Sequence, residues 1–432
     1  MSWRPVQRVY LLLTALTTLA ASLIWGINTL FLLDAGLSNT QAFAANAFFT
    51  AGLVVSEIPT GVVADTTGRR RSFLLGTTTL LLSTVLYLYM WQIQGPFWGW
   101  AVASALIGLG FAFFSGAVEA WLVDALAACG YEGSLEAVFA KGQIITGAGM
   151  LVGSVAGGVI AQATSLGVPY IIRAAMLGVT LVAAFVFMRD LGFRPVHGKA
   201  PIPEVKRVLR ESIAGGLGNR PVRWLMLEAP FTMGVGFYVF YAMQPYLLEL
   251  YGDESAFSVA GLAAAVVAGS QILGGFTVPL VRRLVSRRTH ALIASAVVST
   301  AALVVIGLTS SFALALGMLV IWALTDAAAK PLRQAFLNGL IPSAQRATIL
   351  SFDSLMGSVG GVVGQPALGR VADVSGYAAS YVVSGALLGL SIPFIALARR
   401  ENAPSDPIHP AEPVAEAGLP AVPPEAERLP GS

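Results

Sequence analysis

Apolar residues run in blocks of membrane length along almost the whole chain, separated by short polar or charged knots. Twelve blocks can be laid out, at 9–33, 41–64, 72–91, 97–124, 137–162, 168–188, 223–249, 256–281, 290–309, 312–340, 348–371 and 376–398. A helix needs ~20 mostly apolar residues to cross a bilayer. One such block could be a buried helix of a large soluble protein. Twelve in succession predict an all-α polytopic membrane protein. The first block continues past Ala20-Ala21-Ser22, a stretch that could imitate a cleavage site. A signal peptide has a shorter apolar region, so this block is read as a retained first helix.

Composition agrees with that pattern. Of 432 residues, 56% are hydrophobic and 11% charged, against roughly 25% charged in soluble domains. Mean hydropathy is +0.74. The three histidines, His197, His290 and His409, fall in loops, the tail or a helix edge. They predict no metal site and no histidine proton relay in the membrane. The single cysteine, Cys129, excludes an internal disulfide.

Charge orients the chain. Arg4 and Arg8, Arg69 to Arg71, Lys141, Arg282 and Arg283, Arg287 and Arg288, Arg346, and Arg399 and Arg400 all fall on one side if the chain crosses twelve times. Arg189, Arg194, Lys199, Lys206, Arg207, Arg210, Arg220 and Arg223 join them from the central loop. The opposite loops carry Asp34, Glu249, Asp253 and Glu254, with Arg370 the one basic exception. The positive-inside rule then places both termini in the cytoplasm. The loop divides the chain into an N-terminal bundle (1–189), a cytoplasmic central loop (190–222) and a C-terminal bundle (223–400). The Pro-, Ala- and Glu-rich tail, 401–432, reads as disordered.

The halves repeat. Gly149, Gly153 and Gly158 match Gly360, Gly364 and Gly369 at an offset of 211 residues (149 to 360), which also pairs Glu119 with Lys330. Repeated halves are common in transporters. Small residues at spacing four let membrane helices approach closely, which explains the glycines equally well.

Between the second and third blocks stands Gly61-Val62-Val63-Ala64-Asp65-Thr66-Thr67-Gly68-Arg69-Arg70-Arg71. Gly61 permits close approach, Gly68 a tight turn, and Arg69 and Arg70 are forked donors suited to carboxylates. A worn partner, Gly275-Phe276-Thr277-Val278-Pro279 followed by Arg282 and Arg283, has lost the aspartate. The stretch resembles the signature between the second and third helices of the major facilitator superfamily. Glu57-Ile58-Pro59-Thr60-Gly61, Glu119-Ala120-Trp121-Leu122-Val123-Asp124 and Arg346-Ala347-Thr348-Ile349-Leu350-Ser351 look like bacterial members. The resemblance implies twelve transmembrane helices in two six-helix bundles. It also implies a gate that latches the halves in the outward-open state, with Asp124 as arginine partner and the start of the eleventh helix, near Arg346 and Asp353, as second arm. Gly149–Gly158 partly resembles the antiporter signature, with Ser154 where proline is expected and Ala140 where the first glycine is expected.

Ionisable residues inside spans are costly and point to function. Glu57, Glu119 and Asp326 are the candidate proton carriers, Glu119 foremost; Glu119→Gln is expected to lose proton-driven transport while keeping substrate binding. Structural pairing is the competing role, with Lys330 for Asp326 (i+4) and the Asp65 cluster for Glu57; Arg333 follows Asp326 at i+7. Glu228 and Arg173 are placed near headgroup depth, Arg173 by snorkelling. The resemblance places a cavity between the first, fourth, seventh and tenth helices. Trp25, Asn28, Tyr238, Tyr241, Gln244 and Lys330 are its candidate lining, suited to bulky, weakly polar or cationic compounds. Each could also be ordinary helix packing.

The expected function is secondary transport by alternating access in the bacterial cytoplasmic membrane. Proton-coupled efflux of amphipathic drug-like compounds or a metabolite is the first form. Uptake or exchange of a small polar solute, and a non-transporting sensor or lipid-handling protein, are the alternatives. Expected partners are a small-molecule substrate, protons and lipid, without nucleic acid, and a monomer is expected. No cofactor is expected beyond the proton gradient. No Gly-x4-Gly-Lys-Ser/Thr loop, nucleophile or metal constellation supports an ATPase or another enzyme.

Overall fold

A computed structural model describes residues 3–193, 216–342 and 346–408. Apolar blocks in lipid must satisfy their backbone internally, which helices do. The described residues form α1 (Arg4–Trp25), α2 (Asn28–Asp34), α3 (Asn39–Thr67), α4 (Arg69–Gln92), α5 (Phe97–Ala112), α6 (Ala117–Ala128) and α7 (Leu135–Ala163). They continue through α8 (Gly167–Phe187), α9 (Arg220–Tyr251), α10 (Phe257–Leu284), α11 (Arg288–Leu308), α12 (Phe312–Asn338), α13 (Arg346–Gly389) and α14 (Ser391–Arg400). Ser38, Ser134 and Ser311 cap α3, α7 and α12 by accepting from Gln41 N, Ala137 N and Leu314 N.

Eleven helical stretches are long and apolar enough to cross a membrane among the described residues. The last, Ile349–Arg400, holds two crossings. The expected loop between the eleventh and twelfth spans is absent: only Gly376, at φ +82°, departs from helix there. Two spans expected to be continuous are broken. The first breaks between Trp25 and Asn28, the fourth between Ala112 and Ala117, where Gly116 takes φ +67°. Large apolar side chains such as Val182, Phe185 and Leu308 are 64%, 65% and 74% exposed, a surface that suits a lipid-facing protein and not a soluble monomer.

The helices α1–α8 form one bundle of six crossings and α9–α14 the other. The bundles share one plan. Gly149, Gly153 and Gly157 of α7 lie against Thr18, Ser22 and Leu23 of α1. Gly357, Gly360 and Gly364 of α13 lie against Met233, Pro230 and Gly234 of α9. The last glycine of each run meets the opposite bundle, Gly158 at Phe257 and Gly261 of α10, Gly369 at Asn39 and Phe43 of α3. The glycine repeat in the sequence thus does the same two jobs twice.

Two expectations of position are corrected. Arg173 does not snorkel: it is 2% exposed, and its Nε donates to Thr84 Oγ1 (3.1 Å) and its Nη1 to Ala20 O (3.0 Å). Its α8 face turns into the bundle, where hydroxyl and carbonyl oxygens are its acceptors. The tail is ordered at its start. Ala403 and Ile408 are buried, Arg288 N donates to Asp406 O (2.8 Å), and Ile408 N donates to Ser286 O (2.9 Å). Residues 409–432, and 194–215 of the expected central loop, lie outside the described residues.

Candidate functional site

The two ends of the molecule differ. One carries the chain start and the arginine-rich connections, the other Asp34, Glu249, Asp253 and Glu254. Hydrogen bonds from the Ser255 hydroxyl and amide hold Asp253 below the usual carboxylate range.

At the acidic end the bundles are bolted together. Asp373 of α13 accepts from Asn39 N (2.9 Å), Thr40 N (2.9 Å) and Thr40 Oγ1 (2.5 Å) at the start of α3. A helix N-terminus favours such a charge. Tyr377 donates to Asn39 Oδ1. Fully buried Gln244 accepts from Thr29 N (2.8 Å) and donates to Trp25 O (2.7 Å), closing the break in the first span. Asp373→Ala is expected to remove three bonds across the seam. At about 1.5–3 kcal/mol for a hydrogen bond to a charged group, the acidic end then opens more often, read as faster thiol labelling of Asn39→Cys in the Cys129→Ser background.

At the basic end the same seams part. Gly261 faces Gly158, Gly269 faces Leu151 and Gly147 faces Ile272. The next turn of that stripe brings Ile144 and Phe276, which are 71% and 78% exposed. On the other seam, Thr50 accepts from Gln365 at 3.4 Å, whereas Glu57 is exposed and a Cβ on Gly61 would meet nothing within 4 Å. Among the described residues, every hydrogen bond between the bundles lies between the acidic end and the level of Thr50 and Gln365. The protein is therefore closed at the acidic end and open at the basic end.

The sequence candidates distribute unevenly over this frame. Glu119 is exposed in the first turn of α6, just after the break at Gly116, and lines a cavity of about 180 Å³ with Tyr10, Thr14 and Gln143. Asp326 and Lys330 pair at 2.7 Å and line a cavity of about 500 Å³ within the second bundle. Glu119 and Lys330, equivalent in the repeat, therefore line different cavities. Trp25 is half-buried and meets Phe240 edge to face (6.2 Å), and Tyr241 is half-buried beside Phe240.

Three lining candidates are spent elsewhere. Tyr238 is fully buried and donates to Ser380 Oγ (2.6 Å), because its face of α9 turns toward the last span. Gln244 holds the break in the first span. Asn28 donates to Asn46 Oδ1 (2.9 Å) and accepts from Tyr170 (2.9 Å). Asn46, Gln365 and Asp373 were not singled out from sequence. Their signal is a polar residue inside an apolar block, which carries no helix-face information until the seam is known.

The expected headgroup residue Glu228 is also corrected. It is 3% exposed and accepts from Arg333 Nε (3.2 Å). Arg333 forks onto Asp353 with Nη1 at 2.5 Å and Nη2 at 2.7 Å, and Nη2 also donates to Leu225 O (2.8 Å). The second arm expected for the latch is thus engaged inside its own bundle.

In the signature loop, Asp65 pairs with Arg69 at 2.7 Å. Among the described residues no ion pair joins Asp124 to Arg69 or Arg70. Asp190 takes the place expected for it: its Oδ1 accepts from Arg70 N (2.8 Å) at the start of α4. Arg70 Nη2 donates to Phe185 O (2.7 Å). Gly68, at φ +113°, leaves room for that carboxylate, which a Cβ would strike. The worn sister loop is clasped the same way. Asp406 accepts from Thr289 N (2.9 Å) and Thr289 Oγ1 (3.0 Å) at the start of α11, and Arg288 Nη1 donates to Ser405 O and Pro407 O. In each bundle, a carboxylate just after the last helix caps the third membrane span, α4 in one and α11 in the other. Asp406→Ala is expected to cost about 1–2 kcal/mol, the worth of a helix cap, seen as a lowered melting temperature in detergent.

The sequence profile of the Major Facilitator Superfamily matches residues 10–329 and 276–425. No curated protein matches the chain in sequence. Among solved structures, a bacterial homologue of the human lysosomal transporter Spinster, inward-facing and unoccupied, superposes with TM-score 0.69 at 18% identity, over 92% of this chain and 97% of that one. The nucleoside transporter NupG superposes with TM-score 0.73 at 10% identity, over 91% and 98%. The POT family transporter PepTSo gives TM-score 0.69 at 14% identity, over 93% and 98%. At these identities the likeness is one of fold; the family follows from the profile, which spans most of the chain. The chain belongs to the Major Facilitator Superfamily and is a secondary transporter, not an enzyme.

Proposed function

We propose that the chain exports amphipathic, weakly polar or cationic compounds across the bacterial cytoplasmic membrane in exchange for protons. The arginine-rich end faces the cytoplasm in this reading, by the positive-inside rule, so the conformation described is open to the cytoplasm. The observation that carries the reading is the chemistry of that opening. Glu57 and Glu119 are exposed carboxylates of the first bundle, Asp326 lines the second bundle's cavity with Trp322, and Trp25 and Tyr241 are half-buried, while Lys330 in that second cavity is held by Asp326. Acid and aromatic faces together recognise organic cations. The Asp65–Arg69 pair serves as the gate element in this reading.

Reconstituted protein in vesicles with an imposed pH gradient tests this, with ethidium and a panel of dyes and antibiotics. Gradient-driven movement of cationic dyes is expected, and in this reading Glu119→Gln raises KM for cations more than for neutral compounds, in place of the unchanged binding expected from the sequence. Movement that ignores the pH gradient, or none across the panel, would contradict it.

A second reading, transport of a small neutral polar solute, rests on a separate observation. Buried Thr29 Oγ1, Asn46 Nδ2 and Gln365 Oε1 take no hydrogen bond among the described residues, which is costly unless something fills them. These neutral donors and acceptors suit an uncharged solute. Nucleosides, which NupG carries by its name, are of that class. Competition of dye flux by uridine would favour it.

A further inference from the structure

Glu228, Arg333 and Asp353 come from three helices, α9, α12 and α13, and none was a proton candidate in the sequence. Their side chains are 4%, 18% and 9% exposed. Two carboxylates share one guanidinium, so the fully ionised group carries one net negative charge. The groups around it do not cancel that charge. On α12, Asp326 and Lys330 line the same cavity and pair with each other. From α11 the wall is Leu292, Ser295 and Ser299, and beyond it Leu388 and Ile395. On α9 itself, Thr232 turns its hydroxyl to Ala229 O (3.3 Å), and Arg223 lies over the Trp224 ring at 5.0 Å.

The sharing is unequal. Asp353 receives two short charge-assisted bonds, whereas Glu228 receives one, at 3.2 Å, with the neutral Thr232 hydroxyl as its other neighbour. An uncompensated buried charge is expensive, and a single proton removes it. The cavity of about 500 Å³ that Glu228 lines opens a path for that proton from water. From this geometry we infer that Glu228 carries the coupling proton. Water in the cavity delivers H⁺ to Glu228 Oε1 and the carboxyl becomes neutral. Arg333 is then ion-paired with Asp353 alone and keeps α9 only through Leu225 O, which loosens the tie of α9 to α12 and α13. Loss of the proton to the cavity restores the shared pair. This assignment rests on the proton-coupled reading above.

Two measurements test it. Infrared spectra of the detergent-purified protein, titrated from pH 5 to 8, need no cargo. A protonated-carboxyl band that fades on titration is expected in the parent and in Asp326→Asn, and is expected to be missing in Glu228→Gln. A band that persists in Glu228→Gln, or that vanishes in Glu119→Gln instead, overturns the assignment. In vesicles, each coupled proton lets a gradient of one pH unit sustain about tenfold accumulation. Glu228→Gln is expected to lose that accumulation of ethidium while still exchanging dye down the dye's own gradient. Equal pH-driven accumulation in parent and variant overturns the Glu228 assignment alone. Ethidium exchange by the parent with no response to pH overturns proton coupling itself.

Discussion

Arg333→Ala is expected to cost about 3–5 kcal/mol, the range for breaking a buried pair from one side, and to leave little folded protein. The reason is the count of what the guanidinium holds. It bonds Asp353 twice, Glu228 once and Leu225 O once. Its loss leaves two carboxylates facing each other in a site with no other free cation among the described residues that line it. Arg333→Lys keeps the charge but supplies a point donor in place of a fork, so an intermediate loss is expected. Arg333→Ala combined with Glu228→Gln and Asp353→Asn removes the charges together and is expected to recover part of the stability. Thermal melting in detergent ranks the variants. An alanine variant as stable as the parent would show that the network is dispensable.

The second large effect is conformational. A Cβ on Gly261 would come within 2.5 Å of Ser154 O and 2.9 Å of Gly158 Cα, and Gly26, in the break after α1, closes on Gly261 from the other side. Backbone lines that slot, so no rotamer change can make room. Gly261→Val is expected to force α7 and α10 apart at the acidic end. Overpacking costs about 1–3 kcal/mol. Because the strain is relieved when that end opens, it appears as a shift of about tenfold to a hundredfold toward the acidic-end-open state. Gly275, on the same helix at the open end, has nothing within 4 Å of its would-be Cβ. Gly275→Val is expected to leave the described conformation undisturbed. Thiol labelling of a cysteine placed at Ser255 compares the two.

Much of this architecture could be read from the residues because its causes are local. Membrane-length apolar blocks, arginine bias and the two glycine runs each depend on near neighbours or on a fixed spacing. The breaks near Gly26 and Gly116 could not be read, since glycine is tolerated in membrane helices and only packing decides where it bends. The site was legible in its residue types and not in their partners. Asp326 finds Lys330 one turn away, a pairing visible in the sequence. Arg333 follows Asp326 on the same helical face at i+7, yet its partners are 105 and 20 residues distant. Tyr238 and Tyr241 look alike on a helical wheel, but only the bundle's arrangement shows that one is fully buried against Ser380. Asp190 and Asp406 cap helices far from them in sequence, and no periodicity marks such a contact.

In the proposed cycle the two bundles rock about their seams, so that one end closes as the other opens. Spin-label distances at both ends, in protein lacking Cys129, decide this. One pair of labels sits at the basic end, at Lys141→Cys and Leu280→Cys. The other sits at the acidic end, at Ala163→Cys and Ser255→Cys. The result expected is two populations at each end, with Gly261→Val lengthening the acidic-end distance and shortening the basic-end distance together. A single distance at the basic end that ignores Gly261→Val, or both ends widening together, would contradict alternating access in this chain.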